Sequence, residues 1–268
     1  ELERFSVFSS DAKIVVELGN GKRDQLSAPD TAFFRGQIAG EAGSRVFVSV
    51  QHDGTVSGLV ERGGKMLQVV DSGVGAERLS LQPIPDSPHK QHGEGFVCVS
   101  DKLQTPTSAF PVSDLKSLPL RPPPASDKAV AAAAYRARIA IETDFEFFTR
   151  FNNQANATTY VGNLIGFAST VYTAQVQTQL EVSYLRLWTT ASDPWAQTTS
   201  NCGMFEFGKY WNDNMSGTSR TIAHMLSGKS TGGGVAWLGV LCSGGFNTST
   251  TGSSCPVSYT HLRAHETK

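Results

Sequence analysis

A proline-rich segment near the middle of the chain limits what its 268 residues can fold into. The segment contains Pro106, Pro111, Pro119 and the run Pro122-Pro123-Pro124, and it leads into the alanine run at residues 131–134. Successive prolines favour an extended conformation, and they lack the N–H groups that a central sheet strand needs. We therefore predict that residues 104–134 are a Pro/Ala-rich linker between two domains.

The two sides of this segment differ in charge. Residues 1–128 hold 14 Lys and Arg and 16 Asp and Glu, whereas residues 129–257 hold 7 and 7 and are rich in Ser, Thr, Asn and Gly. The net charge of −1 and the pI of about 6.7 provide no basic surface, so we expect no nucleic-acid partner. No apolar run reaches the roughly 20 residues of a membrane span, so we expect no such span. The oligomeric state stays open.

Short strands separated by turns fill the first half. Alternating apolar residues and turn signals predict strands at residues 13–18, 33–40, 45–50, 55–60 and 65–70. His52-Asp53-Gly54 and Gly63-Gly64 are typical of the tight turns that join antiparallel strands. Residues 1–103 are therefore predicted to form a β-rich domain with a small antiparallel sheet.

The second half mixes the periods of strands and helices. The pattern predicts a strand at residues 138–144, a helix near 145–151, a long helix at 160–176, a strand at 180–188, helices at 205–212 and 218–226, and a strand at 234–242. This order favours an α/β layer over a sandwich. The predicted fold class is therefore α+β or α/β, with a mixed sheet and long helices in the second half.

The cysteines and sequons of the second half favour export. None of the four cysteines, Cys98, Cys202, Cys242 and Cys255, forms a C-x-x-C pair, which argues against a zinc knuckle. Three N-x-S/T sequons begin at Asn156, Asn214 and Asn247, which are the candidate glycosylation sites. Together with the low charge they predict a secreted or extracellular protein. A disulfide among Cys202, Cys242 and Cys255 is then one option, and buried free thiols are the other.

Several segments of the second half follow one another in a characteristic order. They are the strand Arg138 to Asp144, the long helix, the strand Leu180 to Trp188, Phe207-Gly208-Lys209-Tyr210-Trp211, Ala223-His224-Met225-Leu226-Ser227-Gly228, and Gly232 to Cys242. In order and spacing, residues 135–257 resemble the N-terminal part of the catalytic domain of a metzincin zinc peptidase of the adamalysin/reprolysin-like type. The first half is similar to a pro-segment of this family through Phe34-Arg35-Gly36-Gln37-Ile38, Ser44-Arg45-Val46 and Gly58-Leu59-Val60.

The resemblance implies hydrolysis of peptide bonds by a zinc-bound water. In such enzymes H-E-x-x-H on a helix supplies two His ligands and a Glu base, and a third His follows a Gly turn. That motif does not occur in this sequence, and in the family it would begin shortly after the position of Cys255. We expect zinc in the full-length enzyme, no zinc bound by this chain, and no catalytic residue in it.

The last eleven residues do not continue the domain pattern. Residues 258–268 resemble the translation of a sequencing-library adapter, so we predict a non-native tail. His261 and His265 lie four residues apart, as in a zinc helix. H-E-x-x-H would need Glu where Leu262 stands, however, and the inverted motif would need Glu where Ala264 stands.

One segment and one cysteine are further candidate sites because of the resemblance. Gly234, Val235, Ala236 and Trp237 would begin an edge strand that binds the extended substrate through backbone hydrogen bonds, although an ordinary sheet strand is the alternative. Cys98 precedes the linker and could supply a pro-segment thiolate to the open zinc position. A buried core cysteine is the alternative there, because the surrounding residues do not closely match the usual switch motif.

Other polar and aromatic residues are interpreted structurally. His224 is predicted on a helix, with a structural or solvent-facing role. Glu142 and Asp144 end a strand and could coordinate a cation, but two acids alone are a weak signal. The four tryptophans are interpreted as core or cleft-wall residues.

We therefore expect the precursor of a secreted zinc endopeptidase that acts on polypeptide substrates, present here as an inactive fragment. The alternative is a non-catalytic exported adhesin or glycan-binding protein, which the β-rich first half and the Asn/Ser/Thr-rich second half would suit. The long predicted helix argues against a pure β module.

Overall fold

The structure is a computed structural model that describes residues 1–72, 78–84, 133–231 and 233–236. We call the described residues up to 84 the N-terminal part and those from 133 onward the C-terminal part. The N-terminal part contains β1 (Leu2–Phe5), β2 (Phe8–Gly19), β3 (Lys22–Leu26), β4 (Thr31–Gly36), β5 (Arg45–Gln51), β6 (Val56–Arg62), β7 (Lys65–Asp71) and β8 (Leu79–Pro83). The C-terminal part contains β9 (Tyr135–Thr143), α1 (Phe145–Thr149), α2 (Gln154–Val176), β10 (Thr178–Trp188), α3 (Ser200–Asn214) and β11 (Ile222–Leu226).

Six strands of the N-terminal part form an antiparallel sheet in the order β1-β4-β5-β6-β7-β8. The turn between β6 and β7 shows why the sequence folds this way. Arg62 pairs with Lys65 across a loop of two glycines, and both glycines have positive φ, at 57° and 75°. Such a turn matches the twist of the flanking strands and favours glycine. The predicted antiparallel sheet is confirmed, and it includes β1 and β8, which the sequence pattern did not predict. Strand β3, also not predicted, and β2, predicted at residues 13–18, belong to a second sheet.

A second sheet joins the two parts of the chain. Its order is β11-β9-β10-β2-β3, and β2 and β3 come from the N-terminal part. Strand β10 pairs in parallel with β9 on one side and with β2 on the other, while β3 pairs antiparallel with β2. The prediction of separate domains with a linker at 104–134 stays a prediction, because most of that linker lies outside the described residues. The structure adds that one hairpin of the N-terminal part lies in the sheet of the C-terminal part.

Helix α2 lies between the two sheets. Asn153 caps its start by accepting a hydrogen bond from the Asn156 N–H, and Gln177 ends it in the left-handed region. Its buried residues pack in one core with side chains of both sheets, among them Phe33, Phe47, Ile139 and Leu185. The long helix and the strands before and after it are confirmed as predicted.

Within the described ranges, every helix is too short or too polar to span a lipid bilayer.

Two glycines of α2 let the first sheet approach closely. A Cβ atom on Gly162 would lie 3.0 Å from Phe33 and 3.1 Å from Phe8. A Cβ atom on Gly166 would lie 2.5 Å from the Phe47 ring. Any larger side chain at Gly166 would therefore have to displace a buried aromatic ring, so the helix needs glycine there for its contact with β5.

The other face of the shared sheet is covered by α3. A second core cluster there contains Tyr184, Trp188, Trp195, Trp211, Met225 and Val235. The three described tryptophans are buried, in agreement with their interpretation as core residues. Thr199 caps α3 by accepting a hydrogen bond from the Cys202 N–H.

The predicted helix at residues 218–226 is wrong. Residues 222–226 form strand β11, which pairs in parallel with β9, and His224 lies opposite Ile141 in that pairing and not on a helix. Ile222 and Leu226 contact one core cluster while Ala223 and Met225 contact the other. This alternation has the period of a strand, and pairing with β9 outweighs the helix propensity of Ala, Met and Leu.

Replacing Phe47 by Ala tests the shared core. We expect Phe47→Ala to lower the free energy of unfolding by about 3–5 kcal/mol, because it leaves a cavity where β5 meets α2. Urea denaturation followed by circular dichroism measures this. Leu79→Ala is the control, since Leu79 is half exposed and its replacement should change stability by less than about 1 kcal/mol. A loss for Phe47→Ala as small as for the control would contradict the shared core.

Candidate functional site

The carboxyl ends of the parallel strands β9 and β11 meet at one edge of the shared sheet. Asp144, directly after β9, accepts hydrogen bonds from the N–H groups of Phe147, at 2.6 Å, and Gly228, at 2.8 Å. Its second oxygen accepts one from the Ser227 hydroxyl. One carboxylate therefore caps α1 and also fixes the chain that leaves β11. Burial raises the pKa of Asp144, and these hydrogen bonds partly offset that rise.

Gly228 shows how closely this turn is packed. A Cβ atom there would lie 2.2–2.3 Å from backbone atoms of Glu146 and Phe147. Because backbone atoms cannot move aside as a flexible side chain can, only glycine fits at this position. The segment after β11 is thus held directly against the start of α1.

A small pocket with apolar and polar lining residues lies beside this turn. Asp144, Ser227 and Lys229 line one side, and Glu206 of α3 lines the other. The Glu206 carboxylate accepts hydrogen bonds from the N–H groups of Ala196 and Gln197, at 2.9 and 3.2 Å. The Lys229 ammonium donates to the Trp195 carbonyl, and the Trp195 indole donates to the Thr143 carbonyl at 2.8 Å. These bonds tie the segment after β11 to the loop before α3.

A buried arginine lies between two glutamates on the face of the sheet that α3 covers. Nε of Arg186 in β10 is 3.7 Å from Oε1 of Glu17 in β2 and 3.7 Å from Oε1 of Glu142 in β9. The guanidinium also donates to the Tyr184 hydroxyl at 2.9 Å and to the Tyr210 hydroxyl at 2.6 Å. Although burial alone would lower the pKa of Arg186, Glu142 and the two tyrosines raise it above its usual value.

Glu142 is fully buried in this cluster. Burial raises its pKa from 4.5 to about 7, against the opposing effects of Arg186 and of the Trp188 indole, which donates to it at 2.9 Å. Protein atoms cover this carboxyl group completely, so a substrate bound at the surface cannot come within hydrogen-bond distance of it in this structure. We therefore interpret Glu142 as part of the scaffold and not as a general base.

The described residues do not fit a zinc ion. Among them, no group of three or more His, Cys, Asp or Glu side chains could hold a metal. Of the two acids that the sequence offered as cation ligands, Asp144 accepts hydrogen bonds through both of its oxygens, and Glu142 is fully buried beside Arg186. His261 and His265 lie outside the described residues.

The predicted substrate strand is described only in its first residues. Gly234 and Val235 are buried, Ala236 is partly buried, and none of the three is in a strand. Val235 packs in the core cluster under α3, which anchors the segment. Trp237 and the residues to 242 lie outside the described part of the chain, so substrate binding by residues 234–237 stays a prediction.

The other predicted sites are the sequon asparagines and the cysteines. Asn156, in the first turn of α2, and Asn214, the last residue of α3, are exposed, as an acceptor asparagine must be. Asn247 and Cys98 lie outside the described residues, so glycosylation and the thiolate switch stay predictions. Cys202 is disulfide-bonded, and its partner is outside the described residues, which leaves Cys98, Cys242 and Cys255 as candidates.

The Arg186 cluster is not predicted from the sequence. One signal was present, because Glu181 and Arg186 are charged residues inside an otherwise apolar strand. A charge in a buried strand requires a partner. Which acids supply it depends on the pairing of β2, β10 and β9, and local patterns do not contain that information.

The comparisons with known proteins identify the family. The reprolysin-type model of metallo-peptidase family M12 matches residues 133–267, about half of the chain. The chain therefore belongs to metallo-peptidase family M12, as its resemblance to metzincins predicted. The match includes residues 258–267, whose separation from the domain stays a prediction.

The solved structures that are similar to this chain include one at low sequence identity. It is the crystal structure of metalloproteinase-II from Bacteroides fragilis, with a TM-score of 0.35 and 8% sequence identity. The similarity covers 87% of this chain and 63% of that chain, so this chain spans less than two thirds of that protein. No curated protein matches the chain.

Glu142→Gln should change how stability depends on pH. The folded protein holds the Glu142 proton up to about pH 7, whereas the unfolded chain releases it near 4.5, so the wild type loses stability as pH rises between these values. At about 1.36 kcal/mol per pKa unit, the loss is about 3 kcal/mol. Glutamine does not titrate, so the variant should gain that amount relative to the wild type between pH 4.5 and 7. Urea unfolding across this range measures the difference, and parallel pH profiles would contradict it.

Asp144→Ala should destabilise the turn after β11. We expect a loss of about 2–4 kcal/mol, because the change removes a helix cap and leaves Ser227 and Gly228 without their acceptor. Asp213→Ala is the matched control, since Asp213 is exposed and pairs with Lys209 one helical turn away. Thermal unfolding measures both variants, and the loss for Asp213→Ala should stay below about 0.5 kcal/mol. Equal losses for the two variants would show that Asp144 does not fix the turn.

Proposed function

We propose that this chain is part of the precursor of a secreted, zinc-dependent endopeptidase. The observation that carries the proposal is the match of residues 133–267 to metallo-peptidase family M12. The family supports a peptidase and hence polypeptide substrates. Zinc, secretion and a pro-segment role for residues 1–103 are our extension of that match.

The described residues would support catalysis by positioning the chain. Asp144 and Gly228 fix the direction in which the chain leaves β11, and Val235 anchors it in the core. Residues 234–237 would then lie at the β11 side of the sheet, where an extended peptide could pair with them through backbone hydrogen bonds. The carboxylates of Asp144 and Glu142 serve the scaffold, so the base and the metal ligands must come from other residues.

No H-E-x-x-H motif occurs in the 268 residues. In the proposed reaction a zinc-bound water attacks the peptide carbonyl, and that chemistry requires three protein ligands and a base. We therefore propose that this chain has no peptidase activity and that the complete gene product supplies the motif after residue 257.

Two measurements on the gene and its product test the proposal. We expect the source DNA beyond codon 257 to encode H-E-x-x-H-x-x-G-x-x-H in frame. The longer protein should hydrolyse casein, and both a zinc chelator and replacement of the motif's Glu by Ala should abolish that hydrolysis. The 268-residue chain, assayed beside it, should show no chelator-sensitive hydrolysis.

Three results would contradict the proposal. A stop codon directly after Lys268 with no motif would remove the metal site. Inactivity of a longer protein that carries the motif and is loaded with zinc would argue against an endopeptidase. Chelator-sensitive hydrolysis by the 268-residue chain would show that its active site does not need that motif.

A further inference from the structure

The N-terminal part supplies a strand that the C-terminal sheet lacks by itself. Residues 13–17 of β2 pair in parallel with residues 184–188 of β10. The Val182 N–H donates to the Val7 carbonyl at 2.7 Å, and the Thr189 N–H donates to the Glu17 carbonyl at 3.1 Å. Without β2, strand β10 would become an exposed edge whose side chains are almost all buried here.

Aromatic side chains of the N-terminal part fill two notches on α2. Phe8 and Phe33 lie over Gly162, and Phe47 lies over Gly166. Phe33 and Phe47 are at most 4% exposed, so separating the two parts would expose large apolar surfaces on both. The fit is specific, because the rings occupy the space that a Cβ atom would need at these two glycines.

Polar groups also cross between the two parts. The Arg35 guanidinium donates to the Thr173 hydroxyl at 2.8 Å in a buried position. Arg138 makes two hydrogen bonds to the Asp11 carboxylate, at 2.7 and 3.0 Å. Glu17 lies beside the buried Arg186. Separating the two parts would therefore leave the Arg186 guanidinium with Glu142 as its nearby glutamate. Separation would therefore leave polar groups unpaired as well as apolar surface exposed.

The N-terminal part lies away from the edge expected to bind substrate. In the order β11-β9-β10-β2-β3, strands β2 and β3 are at the opposite side of the sheet from β11. Residues 234–236, the described part of the predicted substrate segment, follow β11 in the chain. The contacts described above can thus persist while a peptide occupies that side.

We propose that the N-terminal part is a lasting subunit of the folded protein: when the chain is cut between residues 85 and 132, the part up to residue 84 stays bound to the C-terminal part without a covalent link. The mature form is then a two-chain complex, and residues 1–84 act by completing the sheet and covering α2. The inference does not rest on peptidase activity, because association is its only readout.

The test cuts the full-length chain after it has folded. A recognition sequence for a site-specific protease is inserted after Lys128, and the cut protein is examined by size-exclusion chromatography with light scattering. Cys98→Ser is included because Cys98 is the only cysteine before the cut, so that no disulfide can join the two chains. We expect both fragments in one peak with a mass close to that of the intact chain, 28.8 kDa. The peak should persist at about 1 µM, well above the dissociation constants of stable interfaces. Separation into two peaks would overturn the proposal.

A variant pair then tests the assigned surface. Gly166→Val places methyl groups against Phe47 and should weaken association of the cut chains at least tenfold. Ala174→Val is the matched control, because it adds the same branched side chain at an exposed position of the same helix. It should leave association unchanged. Equal affinity in both variants would contradict the assigned surface. If Gly166→Val does not fold before cutting, the unsubstituted cut chain alone decides the proposal.

Discussion

Strand β10 has a hydrogen-bonded neighbour on each side, and the two neighbours come from different halves of the chain. β9 is contributed by the C-terminal part and β2 by the N-terminal part. Parallel strands are stable only when both faces of the sheet are covered, and here α2 covers one face and α3 the other. Helix α2 is covered in turn by the first sheet. The position of nearly every other element follows from the pairing of β10.

This arrangement also explains why charges are tolerated inside the sheet. Arg186 is placed by β10 between an acid of β2 and an acid of β9, and hydroxyl groups from Tyr184 and Tyr210 complete its hydrogen bonds. Burying such a group is costly unless its partners are fixed. We infer that the cluster favours one register of these three strands, because a shift of any of them would separate Arg186 from its acids.

The sequence allowed the local elements to be predicted, but not their long-range pairing. The period of two in β5 and the helical spacing in α2 are local signals, and both elements form as expected. Residues 222–226 belong to the helix predicted at 218–226, and they form a strand because they pair with β9. The position of β2 beside β10 joins residues about 170 apart, and no local pattern contains that contact. For the same reason Glu142 was recognised as an acid at a strand end but not as the partner of Arg186.

The family match and the structure support different parts of the functional proposal. Membership of metallo-peptidase family M12 is the basis of our proposal that the complete protein hydrolyses peptide bonds, while the described residues form a scaffold that holds the segment after β11. The hydrogen bond between Gly228 and Asp144 fixes the chain that leads from β11 to the residues predicted to bind substrate. The N-terminal part supports that scaffold from the opposite side of the sheet.

Hydrogen exchange of backbone amides in the intact chain tests the shared sheet most directly. If β2 is a central strand of that sheet, the amides of residues 13–17 should exchange as slowly as those of β9 and β10 and open together with them. Fast exchange in β2 while β9 and β10 remain protected would show that the sheet does not include the N-terminal part, and it would contradict the account.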